Sequence, residues 1–282
     1  MIRKNLPRIF SLAVLSFTLL SCKHVNEGKL FILGGGRIQS SVIDKIIEVS
    51  GLGRGGYGII LPMSSSIPDT AIIETSEYFT SKGLHNVYGI NYKKGQPCTQ
   101  ALLDSIINAR LVYLSGGDQA KFMDVIAGTG IKDAIHKAFD RGSLIAGTSA
   151  GASLMSKTMV TGNEWKHTDN SRTNFYSLEA ENVETTEGLG MLEKVIIDQH
   201  FIVRKRLNRS VCMCIEHPNL MIIGIDEPAA ILVDGNRATV YGDSQVVVLQ
   251  NPADVKVQSG LLGARKIRLD VYLPGESFEI RK

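Results

Sequence analysis

A serine flanked by glycines, at the junction of an apolar run and a helix-compatible run, constrains this chain more than any other feature. Leu144-Ile145-Ala146 predicts a strand, and Gly147-Thr148-Ser149-Ala150-Gly151 follows it directly. Only small neighbours fit such a tight turn, which exposes the hydroxyl at a helix N-terminus where backbone N–H groups can hold an oxyanion. The pattern favours Ser149 as a nucleophile. The alternative is a glycine-rich turn around a buried serine.

Apolar strands alternate with helices over the first half of the chain. The residues predict strands at 29–33, 57–63, 87–90, 111–114 and 144–146, and helices at 42–50, 67–82, 100–109, 131–140 and 150–155. This alternation is typical of a parallel sheet with helices on both faces. From about Ile196, short strands separated by turn signals predict antiparallel strands at the sheet edge. Between the halves, the polar segment 163–188 predicts a long irregular loop beside the site.

The first 22 residues have the pattern of a secretory signal. A basic start precedes the apolar run 9–20, which is too short for a comfortable membrane span. Leu19-Leu20-Ser21-Cys22 resembles a bacterial lipobox, and ordinary signal-peptidase cleavage nearby is the alternative. We therefore expect a lipoprotein-type signal peptide at 1–21, a tether at 22–28 and a single domain at 29–282. Lipidation of Cys22 would anchor the exported protein to a bacterial membrane, on its periplasmic or cell-surface face.

Charge and cysteine usage exclude several function classes. The chain has 31 Lys and Arg against 28 Asp and Glu, and the three basic residues before position 22 leave 28 of each sign in the mature protein. Balanced charge argues against a nucleic-acid partner. Apart from Cys22, the chain has three cysteines, Cys98, Cys212 and Cys214. An odd number implies no disulfide framework. Cys212 and Cys214 lie roughly 200° apart around a predicted helix, so we expect no metal site there.

A histidine and three arginines follow another apolar strand. Asp198-Gln199-His200 closes the strand 195–197, so His200 can reach a pocket beside the serine turn. Its ordinary pKa near neutrality suits proton exchange with Ser149. Guanidinium groups bind carboxylates through paired hydrogen bonds, so the arginines favour an anionic substrate such as an aspartyl peptide. Gly34-Gly35-Gly36 after the first strand fits either anion binding or a packing turn.

Together these segments resemble the cyanophycinase branch of the S51 serine peptidases. The matching motifs are Ser115-Gly116-Gly117-Asp118-Gln119, Gly147-Thr148-Ser149-Ala150-Gly151-Ala152, Asp198-Gln199-His200-Phe201 with the arginines after it, and Gly224-Ile225-Asp226-Glu227 with Ala229-Ala230. The resemblance runs from Leu30 to about Leu249. It implies a three-layer α/β sandwich, similar to class I glutamine amidotransferases and to aspartyl dipeptidase, also called peptidase E.

The resemblance also implies individual roles. Ser149 would be the nucleophile and His200 the base, with the backbone N–H groups of Gly117 and Ala150 as the oxyanion hole. Glu164 is the best match to the acidic triad member, with Asp169 as the fallback. The residues implied to line the substrate pocket are Gln119, Asp198, Gln199, Arg204, Arg206 and Arg209. The resemblance implies no metal or organic cofactor, and it implies a homodimer.

The activity implied is that of a serine exopeptidase. The family substrate is cyanophycin, a polyaspartate with arginine on each side-chain carboxyl, which is cut to β-aspartyl-arginine dipeptides through an acyl-enzyme. An exported N-terminus is foreign to an enzyme of internal storage granules, so other isoaspartyl or aspartyl peptides are also expected substrates. The alternatives are an α-aspartyl dipeptidase and a non-catalytic, lipid-anchored binding protein. The presence of both Ser149 and His200 disfavours the binding protein, which needs neither.

Overall fold

The computed structural model describes residues 27–168 and 175–280. The predicted signal peptide, the lipidation site Cys22 and the fallback acid Asp169 lie outside the described residues. Within the described residues, no helix has both the length and the apolar character needed to cross a membrane.

The first half of the domain alternates strands with helices, as the sequence predicts. Its elements are β1 (Lys29–Leu33), α1 (Ser40–Ser50), β2 (Gly58–Leu61), α2 (Pro68–Thr80), β3 (Val87–Gly89), α3 (Gln100–Ile107), β4 (Leu111–Leu114), α4 (Gln119–Ile126), α5 (Ile131–Asp140), β5 (Leu144–Thr148) and α6 (Ala150–Ser153).

The second half is dominated by strands. Its elements are β6 (Thr158–Glu164), β7 (Val183–Glu187), β8 (Val195–Gln199), α7 (Leu207–Glu216), β9 (Met221–Ile225), β10 (Ala229–Asp234), β11 (Arg237–Gly242), β12 (Val246–Gln250), β13 (Ala253–Gln258), β14 (Leu261–Arg265), β15 (Arg268–Tyr272) and β16 (Ser277–Glu279).

A large sheet carries the fold, with the strand order β16-β11-β10-β1-β5-β4-β2-β3. The pairs from β1 through β5, β4 and β2 to β3 are parallel, and β10, β11 and β16 add antiparallel pairs at one side. This confirms the α/β fold with a mostly parallel sheet and antiparallel strands at its edge. Parallel pairing matters for function because the carboxyl ends of these strands meet at one edge, where ligands bind in open α/β sheets.

Both faces of the large sheet are buried, which explains the continuous apolar runs of its strands. In β1, Phe31 and Leu33 pack with α1 and α2 on one face. Leu30 and Ile32 pack with α3 and α5 on the other face. Alternate residues of one strand therefore face separate cores, as a period of two requires.

The structure differs from the sequence prediction in three places. Helix α4 was not predicted, although Phe122 and Ile126 bury one of its faces. The segment 163–188 is not wholly irregular, because β6 and β7 form an antiparallel hairpin at its two ends. Finally, β8, β9, β12 and β15 do not join the large sheet but form a second one. One face of this second sheet packs against α7, and its other face packs into the core beneath the large sheet.

Candidate active site

The serine turn lies at the carboxyl end of β5, in the centre of the large sheet. Ser149 has φ 53° and ψ −113° and is the residue that caps α6. Such a positive φ is uncommon for a non-glycine residue and is found at functional sites. A Cβ at position 151 would meet the carbonyl oxygen of Leu114 at 2.2 Å, so only glycine fits beside β4. The motif therefore needs small residues because the ends of β4 and β5 and the start of α6 pack closely around Ser149.

His200 stands one residue beyond the end of β8 and faces this hydroxyl. Its Nε2 lies 2.7 Å from Oγ of Ser149. Its backbone N–H donates to the carbonyl of Gly34 at 2.8 Å, and its φ is 50°. Gly35 lies against the imidazole, because a Cβ on Gly35 would stand 2.2 Å from Cε1. The triple glycine after β1 is therefore a close-packed support for the histidine, the second of the two readings that its sequence allows.

The carboxylate at the other nitrogen of His200 belongs to Glu227, which contacts Nδ1 through Oε1. β8 and β9 are parallel neighbours with Gln199 opposite Ile225, so the residues leaving both strands run side by side. This corrects the prediction of Glu164 as the acidic member. Glu164 ends β6, where its Oε2 accepts a hydrogen bond from Asn182 at 2.7 Å. Glu227 lies in the motif 224–227, which is one of the motifs that carry the family resemblance. This motif was the sequence signal from which Glu227 could have been identified.

Burial and neighbouring charges set the protonation of the imidazole. Burial lowers the pKa of His200 below its ordinary 6.5, and the nearby Arg204 and Arg206 lower it further. The hydrogen bond and the negative charge of Glu227 act in the opposite direction without reversing the net shift. His200 is thus neutral at pH 7 and can accept the proton of Ser149, while Glu227 orients the ring.

The backbone amides of Gly117 and Ala150, predicted as the oxyanion hole, belong to segments that adjoin Ser149. Ala150 is the first residue of α6, directly after the serine. Gly117 follows Gly116, which lies close to the serine: a Cβ added to Gly116 would stand 3.9 Å from Oγ of Ser149. Among the described residues, neither Gly117 nor Ala150 donates its N–H in a backbone hydrogen bond. Both donors remain available to a developing negative charge.

Two of the residues implied to line the substrate pocket, Asp198 and Arg209, form a buried ion pair. Asp198 is fully buried and takes a two-point contact from Arg209, with Nε of Arg209 at 2.8 Å from Oδ2. Ser210 adds a hydrogen bond at 3.1 Å. Burial alone would raise the pKa of Asp198, but the arginine charges and these hydrogen bonds outweigh it and hold the pKa below its usual value. Asp198 and Arg209 therefore hold β8 to α7 rather than face the solvent.

The other implied pocket residues range from buried to exposed. The guanidinium of Arg206 donates to Oε1 of Gln199 at 2.6 Å, and burial lowers the pKa of Arg206 to about 10, so it stays charged at pH 7. Gln119 is buried, and its side-chain nitrogen donates to the carbonyls of Val160 and Thr161. Arg204 is exposed and makes no ion pair within the described chain. Arg204 is consequently the arginine of the three with a free guanidinium beside His200.

The chemistry available at this site is that of an oriented serine, histidine and carboxylate. Within residues 27–168 and 175–280, no three His, Cys, Asp or Glu side chains group as a metal site would. Cys212 and Cys214 are buried in α7, and burial raises the pKa of the Cys212 thiol to about 12.

Comparison with known proteins gives a consistent match. The family model for peptidase family S51 matches residues 30–241. The chain is 27% identical over 264 residues to the cyanophycinase of Nostoc sp. (strain PCC 7120), covering 89% of this chain and 85% of that protein. The cyanophycinase of Trichormus variabilis matches at the same identity and coverage. The crystal structure of a peptidase from an acI-B1 Actinobacterium superposes with a TM-score of 0.65 at 21% identity, covering 90% of this chain and 97% of that one, which shows the shared fold.

Proposed function

The chain belongs to peptidase family S51, and within this family of serine peptidases we propose that it hydrolyses cyanophycin or related β-aspartyl peptides as an exopeptidase. The observation that carries the mechanism is the contact series from Oγ of Ser149 through the two nitrogens of His200 to Glu227. A nucleophile, a base and an orienting carboxylate in hydrogen-bonded sequence are the parts that acyl transfer requires.

The proposed reaction has two steps. In the first, Oγ of Ser149 attacks the scissile carbonyl while Nε2 of His200 takes the hydroxyl proton. The amides of Gly117 and Ala150 hold the oxyanion, and the C–N bond then breaks as His200 gives its proton to the leaving amine. In the second, water attacks the acyl-enzyme with His200 again as base, which releases the carboxylic acid and restores the serine. The carboxylate of Glu227 stabilises the imidazolium.

Charge around the histidine supports an anionic substrate. Arg204 is exposed beside His200, whereas the other two arginines are engaged with Asp198 and Gln199. A free guanidinium can take a substrate carboxylate through paired hydrogen bonds. The similarity to cyanophycinases supports a β-aspartyl backbone as the bearer of that carboxylate.

A substrate panel tests the proposal. Purified protein would be incubated with cyanophycin, with β-Asp-Arg, with other β-aspartyl dipeptides and with α-aspartyl dipeptides, and the products identified by mass. Release of β-Asp-Arg from cyanophycin supports the proposal, with Ser149→Ala as the blank. Cleavage of α-aspartyl dipeptides alone would instead identify an α-aspartyl dipeptidase. No cleavage of any of these would contradict the proposed substrate class and favour the binding-protein alternative.

We further propose that the protein is exported and anchored through lipid on Cys22, and that it forms a homodimer. The basic start, the short apolar run and Ser21-Cys22 support the anchor. In a bacterial host, Cys22→Ser would then release the protein from the membrane fraction or leave its precursor uncut. An unmodified N-terminus at another residue, found by intact mass, would contradict the anchor. Light scattering of the mature protein tests the dimer.

A further inference from the structure

Asp226, the residue before Glu227, makes an unusual set of contacts for a carboxylate beside a catalytic triad. It is buried, with 5% of its surface exposed. Its Oδ1 accepts hydrogen bonds from the backbone N–H groups of Ile202 at 2.8 Å and Val203 at 2.9 Å. Its Oδ2 accepts a hydrogen bond from the hydroxyl of Ser244 at 3.0 Å. All of these partners are neutral donors, so Asp226 acts here as a hydrogen-bond acceptor and not as a member of an ion pair.

The two amides that Asp226 binds open a hydrogen-bonded turn that begins at the catalytic histidine. Within this turn, the N–H of Arg204 donates to the carbonyl of His200 at 3.0 Å, and the N–H of Arg206 donates to Phe201 at 2.9 Å. The first N–H groups of such a turn have no partner inside the turn and need an external acceptor. A carboxylate supplies that acceptor in the manner of a helix cap, although it comes from a distant part of the chain.

The dipeptide Asp226-Glu227 therefore holds His200 at two levels. Glu227 contacts Nδ1 of the ring, and Asp226 holds the backbone two and three residues later. The backbone of His200 itself is in the left-handed region, with φ 50°. A non-glycine residue keeps this conformation only where its surroundings enforce it. The bond from the His200 N–H to Gly34 secures one side of the residue, and Asp226 secures the other.

From this geometry we propose that Asp226 is a positioning residue for the general base. By fixing the turn after His200, it keeps Nε2 at hydrogen-bond distance from Oγ of Ser149. The inference rests on the serine mechanism proposed above but is independent of the substrate. It assigns Asp226 no contact with substrate, and its role depends on the acceptor oxygens rather than on the negative charge.

A fluorophosphonate probe measures this role without knowledge of the substrate. Oγ of Ser149 attacks phosphorus, the P–F bond breaks, fluoride leaves, and the hydroxyl proton passes to His200. The labelling rate of the full chain thus reports how well the base serves the nucleophile. Labelling would be followed by intact mass across a range of pH, with Ser149→Ala as the blank and thermal unfolding as the check on folding.

Three variants separate positioning from charge and from general stability. Asp226→Ala removes both acceptors and should slow labelling roughly tenfold to a hundredfold, as a misplacement of about 1 Å does. Asp226→Asn keeps an acceptor for the two amides and can donate to Ser244, so it should label within about threefold of the wild type with the same pH midpoint. Asp234→Ala, in an exposed ion pair with Lys29 at the opposite end of β10, should change nothing.

The outcomes are distinct. Folded Asp226→Ala protein that labels at the wild-type rate overturns the inference. Asp226→Asn protein that labels as slowly as the alanine variant, or with a displaced pH midpoint, also overturns it, because charge would then be the active property. The asparagine result decides alone if the alanine variant does not fold. Wild-type protein that fails to label at Ser149 would overturn the proposed mechanism and this inference together.

Discussion

The carboxylate of Glu227 contacts Nδ1 of His200, although 27 residues separate them along the chain. Helix α7 and strand β9 lie between the two residues. They meet because β8 and β9 are parallel neighbours, so the segments that leave their carboxyl ends emerge together. Glu227 therefore follows a strand of the second sheet, whereas Ser149, the proposed nucleophile, follows a strand of the first.

Exchange of the acid tests this relationship directly. Glu227→Gln should lower kcat by about three to four orders of magnitude, because the amide no longer stabilises the imidazolium or selects the right tautomer. Glu164→Gln is the matched control, since Glu164 contacts Asn182 and not the imidazole. It should change kcat by no more than about threefold. A large loss in Glu164→Gln with little loss in Glu227→Gln would restore Glu164 as the acid.

Removal of the nucleophile should abolish turnover while the fold remains. Ser149→Ala should lose several orders of magnitude in kcat, since triad members act as a unit. Alanine has the same Cβ as serine and faces the same backbone at φ 53°, so the melting temperature should change little. Turnover on the best substrate and circular dichroism of both proteins provide the check. Wild-type turnover in the alanine variant would exclude Ser149.

The pH profile should respond to Arg204. A neutral His200 is needed as base, so kcat/KM should fall as pH drops through the folded pKa of His200, which lies below 6.5. The positive charge of Arg204 lowers this pKa, so Arg204→Gln should raise it and move the acid limb to higher pH. Lys205→Gln, at the neighbouring exposed position, is the control. Identical acid limbs in Arg204→Gln and wild type would contradict the expected coupling.

Arg209 should matter for stability because it neutralises a buried charge. Arg209→Ala leaves the fully buried Asp198 without its two-point partner. Loss of one partner of such a pair costs about 3–5 kcal/mol in the free energy of unfolding. Lys94→Ala, which breaks an exposed ion pair with Asp124, should cost no more than about 1 kcal/mol. Denaturant unfolding measures the free energy of unfolding of both variants. Equal losses would show that the buried ion pair of Asp198 contributes no more to stability than an exposed one.

A methyl group behind the histidine should damage catalysis specifically. The Cβ of Gly35→Ala would stand 2.2 Å from Cε1 of His200, so the imidazole must leave the position in which it contacts Ser149. The expected loss in kcat is roughly a hundredfold, as for other misplaced catalytic groups. Gly55→Ala is a close control, because Gly55 has φ 111° against 113° for Gly35 but nothing within 4 Å of its Cβ position. Equal activity in both variants would rule out this packing role.

Local signals in the sequence were sufficient for much of the fold and for the proximity of Ser149 and His200. The apolar runs of β1, β4 and β5 predicted strands, because residues buried on both sides of a sheet must all be apolar. The turn around Ser149 needs small residues at adjacent positions, and these are recognisable in the sequence as the motif 147–151. His200 was predicted because a strand end beside that motif is a place from which a side chain can reach the serine.

Contacts between distant segments were decided by the tertiary structure alone. The sequence resemblance pointed to Glu164 as the acid, with Asp169 as the fallback, whereas the parallel pairing of β8 with β9 brings Glu227 to the imidazole. β9 and β12 pair with each other in the second sheet, although the sequence predicted that they would complete the edge of the first. Burial pattern specifies that a strand has two covered faces, but not which strand lies beside it, because hydrogen bonding between backbones carries no residue identity.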